Sequence, residues 1–538
     1  MVLGLLLVGP KSPAIAARNR LQLELTTLKL PGAPTVVLPA DLNHDGLQDL
    51  VVAMAYTEWD QISIEELTEM REVEGLVMVM TVVPSLMDRR EIRIYLGQQG
   101  GGYETPVAPL PIDLSVLSLD RGPDTFPVIA LTDDGVSALR LIESQEGPEL
   151  ILEPLVSAPP VLAHSGALVP NLGLTHDLDG DGQRDLLLPL NEGLAIYPAA
   201  QLKSHSDAVD LAEVPGGKSW VTGGLARYYP LPEIRDVNGD RLPDLVVPDR
   251  QRDWERFHVL ENTGGGRFAE AFSPTEKNEP VAELFPIVYF GDLDGDGVAE
   301  YVTEEDMEDP DAGWRKEVKE AKRPPRRYRI HRSRADLSME PEHFQSFEAI
   351  GYALEREDDD DTFRLPAGFR DLNDDGRQDL ILMTLDFSLF QVVKIMTTQR
   401  LSLGLDFHVW CQDEQGRFSQ VEGLDLSGKL KLDLQNLQIG QLSQFEGDFD
   451  GDGRIDFLQI GRGKTVTIHR GQEGCRYPAE PDLTLKLKEP PLDLALVQVL
   501  DLNGDELSDL MIIQPDPEPE PGVSVPVRLE LYLSQNTP

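Results

Sequence analysis

The 538-residue chain is poor in cysteine (two), in histidine (nine) and in positive charge, with 48 Lys and Arg against 94 Asp and Glu. Each shortage excludes something. Two cysteines cannot build a clustered thiolate metal site. The histidines are scattered with no HExxH spacing, and neither a GxSxG elbow nor a Walker loop is present, so no enzyme signature stands out. A net charge of −46 and a pI of about 4.4 repel phosphate backbones and anionic headgroups, which argues against a nucleic-acid partner. No apolar run reaches the ~18 residues of a membrane-spanning helix. The acidity does not mean disorder, because 41% of residues are hydrophobic and 26% charged, as in ordinary globular chains.

What is abundant is glycine (46) and proline (41), the punctuation of turn-rich all-β proteins. The acid, moreover, is placed. A nine-residue pattern recurs: an acid, any residue, Asp or Asn, any residue, Asp, usually Gly, two residues, then an acid. It begins at Asp41 (DLNHDGLQD), Asp177 (DLDGDGQRD), Asp236 (DVNGDRLPD), Asp292 (DLDGDGVAE), Asp371 (DLNDDGRQD), Asp448 (DFDGDGRID) and Asp501 (DLNGDELSD).

This spacing suits a hard cation. Calcium takes six to eight oxygens at about 2.3–2.6 Å, whereas magnesium prefers a smaller shell that keeps its waters. Side chains at positions 1, 3 and 5 of a tight loop converge, position 7 offers its carbonyl, and the carboxylate at position 9 closes the shell. The candidate ligands are therefore Asp41, Asn43, Asp45, Leu47 and Asp49 in the first loop, and Asp177, Asp179, Asp181, Gln183 and Asp185 in the second. The third has Asp236, Asn238, Asp240, Leu242 and Asp244; the fourth Asp292, Asp294, Asp296, Val298 and Glu300; the fifth Asp371, Asn373, Asp375, Arg377 and Asp379. The last two have Asp448, Asp450, Asp452, Arg454 and Asp456, then Asp501, Asn503, Asp505, Leu507 and Asp509. Up to seven structural Ca²⁺ are expected. A glycine at position 6 supplies the positive φ of the turn; Arg241 and Glu506 replace it in two loops, at a cost of about 1 kcal/mol each. The competing reading is a set of metal-free acidic turns, which must then tolerate three or four mutually repelling carboxylates.

Each ninth position opens a short apolar run, such as DLVVAM (49–54), DLLLPL (185–190) or DLILMTL (379–385), that reads as a strand. A strand precedes each loop, and a third often follows before a glycine turn and an aromatic, as in FHVLENTGGGRF (257–268). The unit is strand A, loop, strand B, strand C, glycine turn, strand D: an antiparallel four-stranded blade. The DxDxDGxxD loop, the DLVV strand and the later GxGxF-like turn resemble the FG-GAP/VCBS repeat of integrin α-subunit propellers and many secreted bacterial proteins. The resemblance runs from about residue 21 to 538. It implies an all-β calcium-binding β-propeller in which loop positions 1, 3, 5, 7 and 9 hold the metal.

The gap from Asp41 to Asp177 is about twice the shortest, and 116–142 has the strand order of a blade without the ligands. Eight blades follow, with seven as the alternative. The last unit lacks its D strand, and LQLELTTLKL (21–30) is the expected replacement, closing the ring. Residues 1–17 read as a signal peptide or N-terminal tail, and 18–538 as one propeller. Short helices are expected in the B–C insertions, at 62–70 and 388–396, and Trp59, Trp254 and Trp314 fall in such connections. The basic cluster Lys322, Arg323, Arg326, Arg327, Arg329, Arg332 and Arg334 is expected to pair with the acidic run 355–361 or to be solvated. Cys411 and Cys475, near C–D turns of neighbouring blades, suit a disulfide or two buried thiols. The functional expectation is a monomeric, exported (secreted, periplasmic or cell-surface), non-enzymatic binding or adhesion module for an extracellular protein or glycan, since millimolar-range calcium sites stay empty in a cytosol. The alternative is a polysaccharide lyase of the propeller kind.

Overall fold

The computed structural model describes residues 21–57, 87–99, 102–105, 107–145, 147–162, 169–190, 192–202, 207–213, 220–222, 226–228, 232–248, 257–278, 287–307, 322–334, 336–353, 368–386, 400–433, 443–460, 464–489, 497–517 and 527–535. The expected signal segment, the two helices, the three insertion tryptophans and the acidic run lie outside these residues.

The architecture is an eight-bladed β-propeller of small antiparallel sheets. Blade 1 runs through Ala33–Ala40, Asp49–Thr57 and Met87–Gly97, and blade 2 through Val116–Arg121, Val128–Thr132, Gly135–Ser144 and Gly147–Val156. Blade 2 is the ligand-free unit. Blades 3, 5 and 6 follow the same order around the B strands Asp185–Leu190, Glu300–Asp306 and Asp379–Asp386. Among the described residues, blades 4 and 7 show three strands each, and single bridges, Val259 to Phe272 and Gly447 to Asp456, add a fourth. In blade 8, Val497–Leu500, Asp509–Pro515 and Val527–Gln535 are joined by Gln22–Leu30, which pairs with Val527–Gln535 along its whole length.

The B strands are unbroken apolar runs because both of their faces are covered. In blade 1, Leu50, Val52 and Met54 pack toward blade 8, where they meet Met511, Ile513 and Leu529. The alternate residues Val51 and Ala53 pack toward blade 2, against Leu119, Val128 and Leu139. Period-two alternation thus divides one strand between two cores. The eight hydrophobic clusters correspond one to one with the eight seams between neighbouring blades, and the 8–1 seam closes the circle. The 6–7 seam also carries a disulfide, Cys411–Cys475.

Several arginines of the basic cluster are paired within blade 5, and the 355–361 run lies outside the described residues. Arg326, Arg327 and Arg329 lie on the C strand of blade 5, Pro325–His331, where Arg326 meets Glu304 at 3.1 Å and Arg327 meets Glu305 at 2.9 Å and Glu348 at 2.7 Å. Strand register explains this: Glu304, Glu305 and Asp306 lie opposite Tyr328, Arg327 and Arg326.

Candidate metal centres

Each nine-residue motif forms the turn between strands A and B of its blade, and all seven share one hydrogen-bond scheme. The position-1 carboxylate accepts from the position-6 N–H, at 2.8 Å from Gly453 to Asp448 and 3.1 Å from Glu506 to Asp501. The position-5 carboxylate accepts from the position-7 N–H, as in Gln183 to Asp181 at 2.8 Å. The position-9 carboxylate reaches back under the turn and accepts from the position-2 N–H, as in Val237 to Asp244 at 2.8 Å and Leu293 to Glu300 at 2.9 Å. In six blades its other oxygen accepts from a residue at or within two residues of the end of strand C: Gly97, Ala199, Asn262, Gln412, Gly471 or Ser534. Position 9 therefore ties the A–B loop to the far end of strand C of the same blade.

The backbone takes positive φ at position 6 and equally at position 4. Position 4 is Gly180, Gly239, Gly295, Gly451 or Gly504 in five loops and His44 (59°) or Asp374 (58°) in the others. At position 6, Arg241 and Glu506 adopt φ of 68° and 67° like the glycines they replace. The second left-handed position was missed in the sequence, although five glycines in seven loops signalled it.

Positions 1, 3 and 9 converge. In the three loops with Asp at position 3, carboxylate oxygens of Asp177, Asp179 and Asp185, of Asp292, Asp294 and Glu300, and of Asp448, Asp450 and Asp456 lie within 4.8 Å of one another. Position 5 stands outside these groups, and the Asp452 and Asp375 carboxylates meet the arginines at position 7, Arg454 at 2.8 Å and Arg377 at 2.5 Å. Arg470 holds one oxygen of Asp450 at 2.8 Å, and the other is buried without a partner among the described residues. The same holds for the Oδ1 of Asn373. Orphaned oxygens beside converging carboxylates form a donor set suited to a hard cation.

The electrostatics agree with that fit. Position 9 is buried in every motif. Burial, reinforced by the carboxylates at the other loop positions, raises Asp244 to about 6, Asp379 and Asp509 to about 7, and Glu300 and Asp456 to about 8, against the backbone hydrogen bonds that oppose it. A carboxylate this poorly solvated ionises readily at neutral pH only beside a compensating charge. A fourth cluster, Asp379 with Cys411 and Cys475, is no thiolate site because the two sulfurs are bonded to each other.

The loops of neighbouring blades are joined as well. The position-8 N–H of one blade donates to the position-2 carbonyl of the blade before it: Ala299 to Val237 at 3.0 Å, Gln378 to Leu293 at 2.9 Å and Ile455 to Leu372 at 3.1 Å. In blade 4 position 8 is Pro243, which has no N–H. There the side-chain amide of Asn262 donates to Leu178 of blade 3 at 2.7 Å and to Pro243 O at 3.0 Å. Between blades 4 and 5 the loops are close enough that a Cβ on Gly239 would stand 1.9 Å from Gly297 O. Blade 2, without the motif, uses Asp120, buried on strand A, to accept from Leu172 and Gly173 at 2.9 and 2.6 Å. A cavity of about 360 Å³ lies beside the loops of blades 4 to 6, lined by Arg235, Asp236, Tyr289, Asp292, Phe369, Gly376 and Gln378.

Comparison with known proteins adds a family match over one unit. Residues 236–303 match the model of the FG-GAP-like repeat. No curated protein matches the chain. Among solved structures, a Bacteroides fragilis protein described as a 6-phosphogluconolactonase is similar at 12% identity over 74% of this chain and 92% of its own, with a TM-score of 0.29. Such a loose likeness carries no argument about activity.

Proposed function

We propose, from the premise that the chain is an FG-GAP repeat β-propeller, that it is a calcium-stabilised binding module working outside the cytosol. The observation that carries the calcium reading is the convergence of positions 1, 3 and 9 in three loops, with position 9 buried beneath the turn. Bound Ca²⁺ would supply the positive charge those carboxylates lack. The chain's own residues do the rest: position 1 shapes the turn, position 9 ties it to the end of strand C, and position 8 links it to the preceding blade. A cation held there would act on the seams of the ring, which is a structural role. The disulfide supports export, since such bonds persist in oxidising compartments. Metal analysis of the purified protein, with calorimetric calcium titration after chelation, tests the reading; absence of tight or millimolar calcium binding refutes it. Arrays of glycans and extracellular proteins would identify the partner.

A second reading, a polysaccharide lyase, draws on the cavity of blades 4 to 6, where Arg235 stacks over Tyr289 with its guanidinium carbon 4.7 Å from the ring centre. Arg235 also donates to Phe290 O at 3.1 Å and pairs with Glu233, so its charge is already committed. Cleavage of anionic polysaccharides with and without calcium decides between the two.

A further inference from the structure

Four loops have Asn at position 3, and one of them differs from the rest. In the loops of blades 1, 4 and 8 the asparagine carbonyl is used locally: Asn43, Asn238 and Asn503 Oδ1 each accept from the position-5 N–H, at 3.1, 3.0 and 3.0 Å. The amides of Asn43 and Asn503 turn to the position-5 carboxylates, at 2.9 and 3.1 Å. In blade 6 the position-5 N–H of Asp375 donates instead to Asp371, at 3.2 Å. Asn373 is thereby released. Its Nδ2 faces both sulfurs of the Cys411–Cys475 disulfide, at 3.6 Å to each, and its Oδ1 is buried with no partner among the described residues.

The disulfide also backs position 9 of the same loop. Both sulfurs and a carboxylate oxygen of Asp379 lie within 4.8 Å of one another. Gln412, the residue after Cys411, donates its N–H to Asp379 at 2.9 Å and its side-chain amide to Leu293 O and Gln378 O, both at 2.8 Å. Cys475 belongs to the next blade, in a turn where it takes φ of 54°. One covalent bond between blades 6 and 7 therefore touches both the asparagine amide and the buried carboxylate of the same loop.

We propose that the Cys411–Cys475 disulfide is a positioning clamp for the blade-6 metal loop, aiming the Asn373 carbonyl at the cation and making this one site sensitive to reduction. The proposal rests on the calcium reading of the loops. A dithiol supplies the two electrons and two protons: the sulfur–sulfur bond breaks, Cys411 and Cys475 become thiols, and the reagent closes to a cyclic disulfide. Asn373 then loses the paired sulfurs that seat its amide and is free to adopt the local turn bonding of its counterparts. Loss of such a supporting contact typically weakens metal binding about 10–100-fold.

The test is calcium titration of the full-length protein by calorimetry, with ion counting by mass spectrometry, before and after dithiothreitol, with circular dichroism to verify folding. Reduction is expected to weaken one class of site about 10–100-fold and to leave the others unchanged. Cys411→Ser with Cys475→Ser should reproduce this without reagent, covering the case in which the buried bond resists the dithiol. Asn373→Asp has no amide to seat, so its calcium affinity should become insensitive to reduction while the fold is kept. Identical isotherms for the oxidised and reduced folded protein, or for wild type and the double serine variant, overturn the clamp and leave the calcium reading intact. Absence of calcium binding in the oxidised protein overturns both.

Discussion

The buried position-9 carboxylates give the metal-free protein an unusual pH response. Asp379 is fully buried, and its pKa rises from the ordinary 3.8 to about 7. The native state then holds a proton that the unfolded chain releases. That contribution is fully present below pH 4 and disappears as pH rises through about 7. Three units at about 1.4 kcal/mol each make it worth about 4 kcal/mol for this residue. Asp509, Glu300 and Asp456 act in the same direction, with values of about 7, 8 and 8. Stability of the chelated protein should therefore fall steadily between pH 5 and pH 8, opposite to the trend of a protein whose carboxylates are salt-bridged. Calcium should flatten the curve, because the bound ion replaces the protons and expels them. Thermal unfolding followed by circular dichroism, in chelator and in saturating calcium across that range, measures the effect. Asp379→Asn should remove part of the slope. A chelated melt that does not change between pH 5 and pH 8, or that rises, would refute the reasoning.

Further outcomes are expected. Chelation at pH 7.5 should lower the melting temperature by several degrees through the loss of ligand linkage, read by differential scanning fluorimetry. Asp448→Ala removes a member of a converging trio and the acceptor of the Gly453 N–H; it should eliminate one ion by mass spectrometry, whereas Asp452→Ala, outside the trio, should weaken that site and retain the ion at high calcium. Gly239→Ala places a Cβ 1.9 Å from Gly297 O at φ of +78° and should destabilise by more than 1 kcal/mol in denaturant unfolding. Reducing the disulfide opens a loop of sequence separation 64 and should cost about 4 kcal/mol by the chain-entropy relation, measured as a shift in denaturant midpoint.

The architecture was legible because the motif repeats at blade spacing and each ninth residue opens an apolar run. In the FG-GAP resemblance those features already imply blades, and even the ligand-free unit showed its strand order at 116–142. What escaped was pairwise and non-local. Nothing near Pro243 says that Asn262 donates in its place to Leu178, because that need arises only when blades 3 and 4 meet. The pairing of the blade-5 arginines with Glu304, Glu305 and Glu348 follows from strand register, which their own spacing does not show. Nor does the ligand spacing show that two of the position-5 carboxylates, Asp375 and Asp452, pair with the arginines two residues on, Arg377 and Arg454. The cysteine pairing, open in the sequence, depended on the distance between two turns on different blades.

The pairing of Gln22–Leu30 with Val527–Gln535 sets a timetable for biogenesis. Once synthesised, this segment finds its partner only after roughly 500 further residues, which is about 25–100 s of synthesis at 5–20 residues per second. Throughout that interval its backbone donors and acceptors are an open edge on a growing chain, and blade 1 waits with half of its core uncovered. Exposed edges of this kind pair with whatever strand arrives first. Seven finished blades thus form an arc with two adhesive ends, and either the proper last strand or another arc can complete it. The yield of closed rings should then depend on the concentration of nascent chains and on the holdases that attend them.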